Sequence, residues 1–76
     1  MNTAFEVTRP ITVRCVNPNG VRAQLSVGDI IYQRKDGIYE ADRCSTASVI
    51  PAVVDIQTIV FEINPFIAAT DLEAIA

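Results

Sequence analysis

The chain has no histidine, only two cysteines, three glycines, and no lysine or arginine after Arg43. Each scarcity removes something. Without histidine, no Ser–His or Cys–His nucleophile system can be assembled. Cys15 and Cys44, with no CxxC spacing and no imidazole to join them, are too few for a zinc site or a disulfide framework. They read as reduced, buried small hydrophobes; a Cys15–Cys44 bridge would require their two strands to be neighbours. Neither GxxxxGK[ST] nor GxGxxG occurs, and Gly20, Gly28 and Gly37 are each accounted for by a turn or bend. No metal, cofactor or small-molecule substrate is therefore expected.

No apolar run approaches the roughly 20 residues needed to cross a bilayer. Met1–Glu6 has neither a basic n-region nor an apolar h-region, so no signal peptide is read there. A cytoplasmic location is expected, or a virion if the chain is virus-encoded. There is no internal repeat, low-complexity segment or linker.

What is present is apolar sequence. Half of the 76 residues are hydrophobic, whereas a chain of this length buries only roughly 60–65% of its unfolded surface. A compact barrel would internalise most of that material. Otherwise it is completed against a partner, most simply another copy. The net charge of −3 is unevenly placed. Six basic and five acidic residues precede Cys44, while Asp55, Glu62, Asp71 and Glu73 follow it with no compensating cation. Such asymmetry suits head-to-tail contacts between subunits.

The alternation is that of half-buried strands. After a lead-in over residues 1–10, with a short strand at 4–7, Thr8-Arg9-Pro10 interrupts because proline lacks the donor of a central strand. Ile11, Val13 and Cys15 then alternate with Thr12 and Arg14. Val21, Ala23, Leu25 and Val27 alternate with Arg22, Gln24 and Ser26. A three-residue loop, Pro18-Asn19-Gly20, matches the faces by pairing Cys15 with Ala23, Val13 with Leu25 and Ile11 with Val27. It also suits a type I turn closed by a glycine at positive φ, so Gly20→Val is expected to be destabilising.

The stretch Leu25–Asp42 bends at Gly28-Asp29 and continues as a second hairpin around Asp36-Gly37. A two-residue type I′ loop there would oppose Tyr32 to Ala41, Arg34 to Tyr39, Gln33 to Glu40 and Ile31 to Asp42. The face carrying Ile31, Gln33, Ile38, Glu40 and Asp42 mixes isoleucines with acids, as a partly covered surface would, and is a candidate interface. Residues 49–56, with Pro51 inside, and 58–63 read as two further strands, separated by a turn near residues 55–58 because their apolar positions change parity. In the tail, 64–76, Asn64 is a candidate cap with Pro65 at the first helical position, and Thr70-Asp71-Leu72-Glu73 has a capping-box pattern. So short and apolar a helix must dock, either on its own domain or on a neighbour, which adds Phe66, Leu72 and Ile75 to the candidate interface.

Carboxylates capable of acid–base work are expected to be solvated: Asp29, Asp36, Glu40 and Asp42 lie on turns and outer strand faces. Tyr32 and Tyr39 flanked by Arg34, Lys35 and Arg43, with Arg14 and Arg22 on the first hairpin, would be the elements of a nucleic-acid surface, but the net charge opposes phosphate binding. The alternative for Tyr39 is a half-buried strand residue covered by Arg34.

Leu25-Ser26-Val27-Gly28-Asp29-Ile30-Ile31 followed by a hairpin at Asp36-Gly37 resembles the bend-then-hairpin pattern of SH3-like small barrels, and in size and texture the chain is similar to the small β-rich decoration proteins of bacteriophage capsids. The first resemblance implies five short strands and binding through loops, with no particular ligand. The expected fold is all-β: a small five- to six-stranded antiparallel barrel or sandwich with a short C-terminal helix. The expected role is that of a non-catalytic protein–protein interaction or assembly module. A small inhibitor or adaptor docking on one host protein is the first alternative, and a nucleic-acid-binding barrel the second.

Overall fold

The computed structural model describes residues 2–17, 19–42, 48–50 and 58–75. Eight strands and one helix follow in chain order: β1 (Thr3–Val7), β2 (Ile11–Asn17), β3 (Arg22–Leu25), β4 (Ile30–Gln33), β5 (Tyr39–Asp42), β6 (Ser48–Ile50), β7 (Thr58–Phe61), α1 (Pro65–Asp71) and β8 (Leu72–Ala74). All ladders are antiparallel, in the order β6-β3-β2-β7-β5-β4-β1-β8, and the sheet curls as a half-barrel. The all-β expectation with a short C-terminal helix holds; among the described residues there are eight short strands, more than the five or six expected.

The inner face carries the core. Val7, Ile11, Val13, Cys15, Val21, Ala23, Leu25, Ile31, Tyr39, Ala41, Ile59 and Phe61 are all buried, with Phe5, Ile63 and Leu72 packed against them. The rings of Phe5, Tyr39 and Phe61 bind three strands together. Tyr39 lies opposite Phe61 in the β5–β7 ladder and stacks on it at 6.2 Å between centroids, while Phe5 meets Tyr39 edge-on at 6.0 Å. Burial pushes the Tyr39 phenol and the free Cys15 thiol above their ordinary values. Cys15 is thus the buried small hydrophobe expected; Cys44 lies outside the described residues.

The first hairpin keeps its expected faces in a different register. Ile11 pairs with Leu25, Val13 with Ala23 and Arg14 with Arg22, and the Cys15 N–H donates to the Val21 carbonyl at 2.7 Å. The slip relative to face matching is two residues, which returns every side chain to the same side. On the other edge of β2, β7 pairs Phe61 with Cys15 and Val60 with Asn17 across a bulge. Val27, expected on the buried face, is 62% exposed. Strand β3 ends at Leu25 because Ser26 and Asp29 close a turn, in which the Asp29 N–H donates to the Ser26 carbonyl and the Ser26 N–H to the Asp29 carboxylate. Gly20 has φ +83° and open space where a Cβ would sit. The cost of Gly20→Val is therefore backbone strain alone, about 1–2 kcal/mol. A chemical-denaturation midpoint unchanged by Gly20→Val would contradict that conformation.

The second hairpin departs by one residue. Tyr32 pairs with Glu40 and Gln33 with Tyr39, and the Arg34 N–H donates to the Ile38 carbonyl, leaving Lys35-Asp36-Gly37 as a three-residue loop. Gly37, at φ +89°, follows a turn closed from its N–H to the Arg34 carbonyl, the G1-bulge geometry expected of the other hairpin. Asp36 selects this loop. Its carboxylate accepts from Arg34 Nη2 at 2.7 Å and from the Ile38 N–H at 3.0 Å, and both contacts hold it below the usual carboxylate range. A one-residue slip exchanges the faces. Ile31, Tyr39 and Ala41 thereby turn into the core, while Tyr32 stays outside.

At the C-terminus the cap is as expected: Asn64 Oδ1 accepts from the Phe66 N–H at 2.8 Å, with Pro65 opening the helix. The helix stops at Asp71, and Leu72 is extended. The capping-box reading of Thr70–Glu73 gives way to strand β8, which pairs Val7 with Leu72, Glu6 with Glu73 and Phe5 with Ala74. The Thr8 N–H donates to the Asp71 carbonyl, and the Ile75 N–H to the Ala4 carbonyl. The edge of β1 would otherwise present unpaired backbone groups, and the tail satisfies them. The tail docks on its own domain.

Candidate interaction surface

Helix α1 is seven residues long and buries none of them. It is held by its Asn64 cap and by the strand that follows, and the Thr70 hydroxyl sits within hydrogen-bonding distance of the Phe66 and Ile67 carbonyls and the Asp71 carboxylate. Its sequence, Pro-Phe-Ile-Ala-Ala-Thr-Asp, is nevertheless mostly apolar. Phe66 is 84% exposed, and Ile67 and Ile75 are 40% and 43% exposed.

Beneath α1, where the half-barrel opens, lies a hollow of about 480 Å³ floored by Phe5, Gln33 and Tyr39 and walled by Ile63, Pro65, Ala68 and Ala69. A second hollow of about 400 Å³ shares Gly37, Ile63 and Pro65 with the first and extends to Asp36, Ile38 and Glu62. The two form a groove between the Lys35-Asp36-Gly37 loop and the helix; Phe66 follows the wall residue Pro65 in the chain but does not line the groove.

Of the expected interface residues, Gln33 lines this groove, donating from Nε2 to the Gly37 carbonyl at 3.2 Å, and half-buried Ile38 lines its extension. Phe66 and Ile75 are exposed, and Leu72 is half-buried against the core. Ile31 is fully buried and is a core residue, because the one-residue slip of the hairpin turned it inward. Glu40 lies on the outer face, where the Asn2 amide donates to it at 3.0 Å, and Asp42 stands opposite Thr58 in the ladder. The single mixed face expected for these residues is thus divided between core, groove and outer face. Phe5, Ile63, Pro65 and Ala68 escaped sequence reasoning. The run Pro65–Ala69 behind a helix cap was the available signal, since seven residues cannot bury five apolar ones without a partner.

The tyrosine platform does not assemble. Tyr39 is buried, Tyr32 faces outward on β4, and Arg34 is engaged by Asp36 rather than covering Tyr39. Among the described residues no three His, Cys, Asp or Glu side chains converge as a metal site would require, and no helix is long and apolar enough to cross a membrane. The chain is similar to no family model, no curated protein and no solved structure with which it was compared.

Proposed function

We propose that this chain is a non-catalytic assembly module, a small structural subunit of a larger particle of virion type or of another homo-oligomer. The observation that carries the reading is α1: a capped, apolar helix with no buried residue and an aromatic side chain 84% exposed. Exposed aromatics beside a shallow groove are the usual anchors of protein interfaces. The curled sheet and the loop-bordered groove are also what the likeness to SH3-like barrels and capsid decoration proteins implies, and that likeness belongs to the same proposal. Docking on a single unrelated protein would use the same surface, and the test separates the two. In Phe66→Asp the melting temperature should stay near that of the wild type, since substitutions at so exposed a site are usually within about 0.5 kcal/mol. Light scattering should show an assembly of lower mass than that of the wild type. A wild type that remains a strict monomer at high concentration would sink the assembly reading and leave the adaptor reading in its place.

A further inference from the structure

On the outer face of the sheet, two cross-strand pairs oppose like charges. Arg14 lies opposite Arg22 in the β2–β3 ladder, and Glu6 lies opposite Glu73 in the β1–β8 ladder; all four residues are exposed. Because Cys15 and Val21 form a hydrogen-bonded pair, Arg14–Arg22 falls in the adjacent, closer-spaced kind of site. Like charges directly opposite one another destabilise a sheet. Among the described residues the one ion pair is Arg34–Asp36, so no described carboxylate reaches either arginine; Glu62 borders a hollow with Arg14 but remains beyond ion-pair distance. Among the described residues, then, each pair opposes like charges that no ion pair offsets.

The two pairs stand toward opposite ends of the strand order. Strands β7, β5 and β4 separate β2 from β1, a path of roughly 19 Å along the sheet at the usual strand spacing, against a screening length of about 8 Å in physiological salt. The cross-strand row Val60–Glu40–Tyr32 between them meets β2 at Asn17 and β1 at Ala4, so Arg14–Arg22 and Glu6–Glu73 lie off that row on their own strands. The sheet carries a positive end and a negative end, and one copy cannot bring them together.

We infer that a second copy of this chain does so: the Arg14–Arg22 pair of one subunit docks on the Glu6–Glu73 pair of the next, in a head-to-tail contact. Such a contact is heterologous and propagates into a ring or a filament. The inference rests on the assembly reading above and supplies its polarity.

Charge exchange in the full-length chain tests it by sedimentation. Glu6→Lys/Glu73→Lys makes both ends positive, and Arg14→Glu/Arg22→Glu makes both negative. Each double variant, folded by circular dichroism, should sediment alone at a lower mass than the wild type, and an equimolar mixture should recover the mass of the wild-type assembly. High salt should dissociate the wild type and the mixture alike. A second set guards against loss of folding. Glu73→Lys and Arg22→Glu each turn a repulsive pair into an attractive one, so each should raise Tm by a few degrees while weakening assembly at least tenfold. A wild-type oligomer indifferent to these reversals, or folded variants whose mixture stays below the wild-type mass, would overturn the charge-paired contact and leave assembly through α1 standing. A wild type that never associates would overturn both.

Discussion

Replacing Phe61 by alanine should unfold much of the protein at room temperature. Phe61 is fully buried. Its ring stacks on Tyr39, which in turn meets Phe5, so its loss opens a cavity where three strands are joined. Phe→Ala substitutions in cores cost about 3–5 kcal/mol, whereas a domain of this length has about 4–11 kcal/mol in total. The core offers little means of collapse around the gap, because Ile59, Ala41 and Cys15 beside it are already tightly enclosed. Urea denaturation followed by circular dichroism should show a midpoint near zero denaturant, or no cooperative transition. A Phe61→Leu control should retain a transition. A Phe61→Ala protein with a midpoint close to that of the wild type would show that the aromatic trio is not the centre of the core.

Ile31→Asp should be at least as damaging, and it discriminates between two placements of β4. With Asp36-Gly37 as a two-residue loop, Ile31 would oppose Asp42 on a partly covered surface, and an aspartate there would disturb association alone. In the structure Ile31 has no solvent exposure and pairs with Phe5 across the β1–β4 ladder. A carboxylate at that position either ionises unpaired or takes up a proton at neutral pH, and either course costs several kcal/mol. The variant should therefore lose its native strand signal. A folded Ile31→Asp monomer with the wild-type Tm would return Ile31 to the surface and restore the shorter loop.

The periodicity of residues 11–25 placed Ile11, Val13, Cys15, Val21, Ala23 and Leu25 on one buried face, and all six are buried. Face membership is a matter of parity, and parity is local. Register is not. The two-residue slip of the first hairpin costs nothing in face matching, so side-chain parity alone could not choose between the two registers. In the second hairpin, Asp-Gly suggested a two-residue loop. The carboxylate of Asp36 instead holds both Arg34 and the Ile38 N–H, which lengthens the loop by one residue and inverts the faces. That one-residue difference moved Ile31 from the expected interface into the core and left Tyr32 outside. The exposed apolar surface was legible at Phe66, whose apolar run on a short capped helix has nowhere to go within seven residues. The groove beneath it was not legible, since Phe5, Gln33, Tyr39 and Pro65 are brought together only by closure of the sheet.

The sequence by itself determined the all-β character, the bend at Gly28-Asp29, the Asn64–Pro65 helix start and the separation of charge between the two halves. These follow from alternation, backbone preference and composition, each of which acts within a few residues. The tertiary structure decided the hairpin registers, the conversion of Leu72–Ala74 into an edge strand on β1, and the placement of Arg14–Arg22 and Glu6–Glu73 toward opposite ends of one face. Each of these depends on a partner strand distant in the chain, whose backbone groups must be satisfied and whose side chains settle which of several locally equivalent pairings is kept.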